Sequence, residues 1–373
     1  MKKNITILSF ALFFALQAFA QGIIVDHTCA KINQIPEAAI VAARQYLHIA
    51  YGHTSHGSQL TDGMTGLVTF MNGLGHTNNL YDWNNGGTGG ALDLHDYAMD
   101  GDVGYYPDWV DNTRAYLGAV NSSTGRGTGA NADVNVIIWS WCGQVEEKFT
   151  SGTLNSEYLV PMSQLENDYF GIKFIYMTGH LDYWDEANNK AANQVIRDYC
   201  NSNNKVLYDF ADIESWDPDD NYYEHANDDC SYYSAGGDYL GNWAQEWQAA
   251  HMVDVDWYNC TSQHSEPLNA NQKAYAAWWL WALLGGWNPT GLAETETNNL
   301  SITVVPNPAC DNIFVFTPEK SIIEIFDING QLLKKISAES KKTQIYSGDL
   351  AGGIYIIKAF TCDGVITTKF IKG

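Results

Sequence analysis

The sequence predicts an α/β fold: a three-layer α/β/α domain on a parallel sheet, followed by a small C-terminal β-sandwich. Three observations carry this. Between residues 21 and 288, short apolar runs alternate with segments whose apolar residues recur at helical spacing. The stretch 289–299, with Pro289-Thr290-Gly291 and the polar residues Glu294 to Asn299, has linker composition. Beyond it the apolar period changes to two. Charge divides at the same place, with 36 Asp+Glu against 10 Lys+Arg in residues 21–298 and 7 against 8 in residues 299–373.

In chain order, Lys2 and Lys3 ahead of the apolar run Ile5 to Leu16, then Ala18-Phe19-Ala20, read as a signal peptide over residues 1–20. Gln45 to Tyr51 is a predicted strand leading into Gly52-His53-Thr54-Ser55-His56-Gly57, after which Leu60, Met64, Leu67, Val68 and Met71 fall on one helical face. Val134 to Trp139 is a second strand, ending in Ser140-Trp141-Cys142-Gly143-Gln144. Ile172 to Met177 is a third, ending in Thr178-Gly179-His180-Leu181-Asp182 and followed by a helix through Asn188 to Tyr199; Lys205 to Phe210 is a fourth. Apolar strands interleaved with helices imply a parallel sheet covered on both faces, and such sheets place sites at the carboxyl ends of their strands. Polar residues cluster at those ends here. The last helix of the domain is expected to be capped by Asn269, with Gln272 completing a capping box, and to stop at Gly285-Gly286 before Pro289. Its Ala274, Ala277, Trp278, Trp281 and Leu284 share one face, the spacing of core packing.

A formal charge of -23 over 373 residues makes nucleic acid a poor partner. No run after the leader reaches the eighteen or so apolar residues of a membrane span; the longest, Ala274 to Leu284, has eleven. Export would permit disulfides among the seven cysteines, and Cys230–Cys260 and Cys310–Cys362 are the expected pairs.

Seven strand-like runs lie between Ile302 and Ile371, and Asn329-Gly330 is a hairpin signal. Val305-Pro306-Asn307-Pro308-Ala309, Ile325 to Gln331, Leu350-Ala351-Gly352-Gly353-Ile354-Tyr355 and the closing Lys369-Phe370-Ile371-Lys372 closely resemble the C-terminal sorting domain of the type IX secretion system. That resemblance implies the type IX machinery as a partner and a secreted or cell-surface location.

The element order of residues 45–288 resembles the SGNH (GDSL-like) hydrolase superfamily. The first block is similar to the variant in which a His precedes the Ser by two, so the resemblance makes Ser55 the nucleophile. It makes His264, ahead of the last helix, the catalytic base. The oxyanion hole then comprises Ser55, a second-block glycine (Gly101 or Gly104, with Gly104 assigned) and Gln144, where the family usually has Asn. His53, His56, His180 and Trp141 are expected to touch substrate. One departure stands out. The family's Asp three residues before the His is Thr261 here, so the orienting carboxylate is assigned to Asp182, with Asp256 and Glu266 as alternatives.

The chemistry supplies its own reasons. A Ser hydroxyl needs a base to take its proton, and a strand-to-helix turn exposes the side chain and offers backbone N–H groups. A second reading gathers His53, His56, His180 and His264, with Asp182, around Zn²⁺ that activates water. A third is a carbohydrate-binding domain without catalysis, suggested by the aromatic residues near Tyr81 to Asn85 and Asp217 to Tyr223. The acidic run Asp217 to Asp220 with Asp228-Asp229 is expected to be a solvated loop rather than a Ca²⁺ site, since it lacks EF-hand spacing. The preferred expectation is a serine esterase without cofactor or metal, acting on an acyl ester of an extracellular polysaccharide.

Overall fold

In a computed structural model of the chain, the described residues are 22–289 except 77, and 303–372 except 308, 310, 318, 319, 328–330, 339, 362 and 363. The expected leader, most of the linker, Cys310–Cys362 and Asn329-Gly330 lie outside them. Two compact units divide at Asn288/Pro289.

The first unit has seven parallel strands: β1 (Ile24–Val25), β2 (His48–Gly52), β3 (Trp83–Asn84), β4 (Leu92–His95), β5 (Val136–Trp139), β6 (Lys173–Met177) and β7 (Val206–Tyr208). Their order is β1-β7-β6-β5-β2-β4-β3. Four were legible as apolar runs. Of the other three, β1 and β3 are two residues long and β4 is broken by the polar Asp93 and His95, so none shows as an apolar run.

Helices α1 (Glu37–Tyr46), α2 (Ser58–Gly73), α3 (Asp108–Leu117), α4 (Val145–Thr150), α5 (Val160–Asp168), α6 (Glu186–Ser202), α7 (Phe210–Ile213), α8 (Trp243–Ala250) and α9 (Pro267–Leu284) complete the unit. Alternate strand residues feed two cores. Ile49, Tyr51, Val136, Ile138, Ile175 and Met177 pack with α1, α2 and α9, while Ala50, Ile137, Trp139, Phe174 and Tyr176 pack with α3, α5 and α6. This is the three-layer arrangement, and burial on both faces is why the strands read as unbroken apolar runs.

Helix α9 begins two residues before the expected cap. Pro267, whose fixed φ suits the first turn, follows the N-cap Glu266, and Asn269 is buried inside the helix. Trp278 and Trp281 are fully buried core residues. A small hairpin, β8 (Ser231–Tyr233) and β9 (Tyr239–Asn242), precedes α8.

The second unit contains seven antiparallel strands in two sheets, β10-β11-β14 and β13-β12-β15-β16: β10 (Thr303–Val305), β11 (Asn312–Phe316), β12 (Ser321–Phe326), β13 (Leu332–Ala338), β14 (Lys342–Tyr346), β15 (Gly353–Thr361) and β16 (Gly364–Lys372). Ile313, Val315 and Ile345 of one sheet meet Ile323, Ile325, Ile357 and Phe370 of the other in a shared core, which makes the sandwich. No helix among the described residues is long and apolar enough to cross a membrane. Cys230 and Cys260 are free thiols, correcting the expected bridge: Cys230 Sγ lies 3.2 Å from Ser265 Oγ, and Cys260 Sγ contacts the Asn271 side chain and the Pro267 carbonyl.

Candidate active site

Strand order reverses at β2: the chain moves outward to β3 and β4, then returns across β2 to form β5. Such a switch point opens a crevice at the carboxyl ends of the two central strands. Ser55 follows β2 and Cys142 to Gln144 follow β5, so both line this position.

Ser55 opens a short 3₁₀ turn, Ser55–Gly57, that runs into α2. The turn lies against the sheet with no room to spare, since a Cβ on Gly57 would sit 2.2 Å from Ser140 Oγ and 2.4 Å from His53 Cβ. Only glycine permits that approach. Ser55 Oγ and His264 Nε2 are 2.5 Å apart, although 209 residues separate them. His264 is exposed and has left-handed backbone (φ +62°), held by its loop: the Gln59 side chain donates to the Gln263 carbonyl at 2.5 Å. Behind that contact, buried Lys273 donates to Gln59 Oε1 and, at 2.6 Å, to Glu214, whose other oxygen accepts the Leu181 N–H. One buried network thus ties α2, the β6 loop and the His264 loop together.

Three imidazoles stack. His56 lies between His180 (centroids 3.8 Å apart, 12° between planes) and His264 (4.5 Å, 22°). His56 Nε2 pairs with Asp228 Oδ2 at 2.9 Å, and its Nδ1 faces Cys142 Sγ at 3.6 Å. Burial pushes the His56 pKa down to about 4, although the Asp228 hydrogen bond opposes this, and the neighbouring histidines lower it further. His56 is therefore a neutral ring donating its Nε2 proton to the Asp228 carboxylate. Burial works to raise the Asp228 pKa, but the His56 hydrogen bond and the adjacent imidazoles leave it below the ordinary carboxylate value. His180 accepts the Gly143 N–H on Nε2 at 3.1 Å, and its Nδ1 lies 2.7 Å from the Leu181 carbonyl.

Several expectations change. Asp182 caps the turn after β6, accepting the N–H groups of Trp184 (2.8 Å) and Asp185 (3.4 Å). Glu266 pairs with Gln245 at 2.7 Å and Asp256 with the Met252 N–H at 2.9 Å. Among the described residues, no carboxylate forms a hydrogen bond with His264; the ring is steadied by stacking on His56 instead. Gly104 abuts Gln144, but its N–H goes to Asp102 Oδ1 at 3.0 Å rather than toward Ser55. Trp141 is buried, with its indole N–H on the Met177 carbonyl at 3.0 Å, so it belongs to the core rather than to a substrate surface. His53 is buried between Tyr51 and Tyr97, and its Nε2 lies 2.8 Å from Asp96. Tyr81 is buried too, and Asp217 organises its own turn through Asn221 and Tyr223.

The sequence reading missed Asp102 and Asp228. Asp102 is buried behind the nucleophile turn, where it also accepts the Thr54 hydroxyl at 3.0 Å; burial raises its pKa against hydrogen bonds from Gly104, Thr54 and Gln144. Ligand atoms of His56, His180 and Asp228 lie within 4.8 Å of one another. Their geometry disfavours a metal, because an ion between two parallel rings 3.8 Å apart would lie out of both ring planes, whereas imidazole lone pairs point in-plane.

Comparison with known proteins bears on the tail. Residues 303–373 match the secretion system C-terminal sorting domain. The protein therefore travels the type IX route to the cell surface or beyond. No curated protein matches the chain. Among solved structures, a Cellulomonas fimi endo-β-1,4-mannanase double mutant has a TM-score of 0.20 at 10% identity, over 85% of this chain and 58% of that one. A modular mannanase from the same organism scores 0.17 at 10% identity, over 66% of this chain and 49% of that one. An engineered protein scores 0.21 at 9% identity, over 95% and 99%. The chain spans about half the length of these mannanases. Scores this low carry no argument about fold or activity.

Proposed function

We propose that residues 22–288 form a serine esterase of SGNH type, with Ser55 as nucleophile and His264 as general base. The observation that carries this reading is the 2.5 Å approach of Ser55 Oγ to His264 Nε2 at the switch point of the sheet. As Oγ bonds to the acyl carbon, His264 Nε2 takes its proton. The same proton passes to the departing alkoxide when the ester C–O bond breaks, leaving acyl-Ser55. Water, deprotonated by His264, then releases the acid and restores Ser55. The Ser55 N–H, which has no acceptor among the described residues, is the backbone oxyanion donor of this scheme; the Gln144 amide already gives a hydrogen bond to Asp102, so only its second N–H is left for the oxyanion.

The missing carboxylate is offset in another way. An imidazolium forming on His264 faces neutral His56 rather than a second charge, and an aromatic face attracts a cation. His56 is itself fixed by Asp228.

Multiple turnover of p-nitrophenyl acetate tests the assignment. Ser55→Ala and His264→Ala should each lower kcat by about 10³-fold or more, the scale seen when one member of such a unit is removed. Near-native turnover by Ser55→Ala overturns it.

A further inference from the structure

Near the Ser55–His264 pair, exposed Trp184 and Tyr239 flank half-buried Tyr183 and Tyr233 in an aromatic cluster that the esterase chemistry does not use. Tyr183 and Tyr233 stack with centroids 3.9 Å apart and 12° between planes. Trp184 stands edge-on to Tyr183 at 5.2 Å and is 77% exposed; Tyr239 stands edge-on to Tyr233 at 5.8 Å and is 61% exposed. Exposed large aromatics in one cluster mark a binding surface.

Both halves of the cluster grow directly from residues of the site. Trp184 comes four residues after His180, and its N–H is held by Asp182. Tyr233 comes five residues after Asp228, on the hairpin β8–β9. With about 3.8 Å between consecutive Cα atoms, each lies within roughly 15–19 Å of a stacked histidine or its partner. Asn227 locks the halves together, since its side chain accepts the Tyr183 N–H at 3.0 Å and donates to Asp228 at 2.6 Å.

The surroundings select the ligand. Residues 180–240 carry 14 Asp+Glu against 3 Lys+Arg, which repels polyanions. Aromatic faces with the Asp182 carboxylate on the Trp184 N–H and Asp229 beside Tyr233 suit a ring with apolar C–H faces and hydroxyls at its edge. We propose that Tyr183, Trp184, Tyr233 and Tyr239 form a subsite for a neutral polysaccharide, stacking its pyranose rings and presenting an acyl group to Ser55. This rests on the esterase reading and adds the class of substrate.

The test measures binding in a chain that cannot turn over. Full-length Ser55→Ala protein is titrated with acetylated xylan and, separately, with polygalacturonate, by affinity electrophoresis and calorimetry. Saturable binding of the xylan, weakened by at least about tenfold on adding Trp184→Ala and kept within a few-fold by Trp184→Phe, supports the subsite; that is the scale of removing a central aromatic anchor. Trp184 is exposed, so its truncation does not threaten the fold. No xylan binding, equal binding after Trp184→Ala, or equal binding of polygalacturonate overturns the proposal. Failure of the esterase reading appears instead in ester turnover by the unmutated chain, so the two are separable.

Discussion

Ser55 and His264, which approach to 2.5 Å, sit in segments that leave local marks in the sequence: a strand-to-helix turn and a loop ahead of the last helix of the domain. Asp228 left none. It reaches His56 across 172 residues, and an acidic pair between polar neighbours reads as a solvated loop. Trp141 was misjudged for a related reason: a residue at a strand end can point into the crevice or into the core, and period alone does not say which. The His56–Asp228 pair has a consequence for stability. His56 holds a pKa near 4 when folded, against about 6.5 when unfolded. Between those values the unfolded chain binds the extra proton, so this residue's contribution is present above pH 6.5 and is lost as pH falls toward 4. Urea unfolding at pH 7 and pH 5 should therefore show a smaller acid-induced fall in midpoint for His56→Asn than for the native chain. An equal fall in both would mean His56 titrates normally in the fold.

At the level of elements, α9 couples the site to the core. Lys273 is fully buried, stacks 3.6 Å over the Phe210 ring, and bridges Glu214 to Gln59. Desolvation lowers its pKa while the Glu214 carboxylate opposes the shift, so the pair is held by mutual need. Lys273→Met leaves Glu214 buried without its cation, and breaking such a pair costs about 3–5 kcal/mol. Thermal melting should register that loss, and ester turnover should fall with it as the Gln263 carbonyl loses its anchor; a variant as stable and active as the native chain would remove the network from the account. Strands β2, β5, β6 and β7 were readable as apolar runs, α2 and α6 by their helical spacing, and α9 by its largely apolar length ahead of Gly285-Gly286. The β1, β3 and β4 segments were not, because β1 and β3 are two residues long and β4 is interrupted by Asp93 and His95. Helix α9 started early because Pro267 set its first turn, a stronger local constraint than the Asn269 cap.

For the whole molecule, the boundary at Asn288/Pro289 separates the unit proposed to be catalytic from the sorting tail. The tail was the most legible region, since its alternating strands and repeated turn motifs match a family pattern over residues 303–373. Deleting those residues should abolish appearance at the cell surface or in the medium, followed by cell fractionation, while leaving turnover of p-nitrophenyl acetate in the extract unchanged. Export of the shortened chain would contradict the addressing role. The central claim, that Ser55 is an activated nucleophile, is tested most directly by treating the full-length protein with a serine-reactive fluorophosphonate and measuring intact mass and the labelled peptide. The account predicts one adduct, on Ser55, that is absent in Ser55→Ala and greatly slowed in His264→Ala; an unlabelled native protein, or an adduct on any other residue, would contradict it.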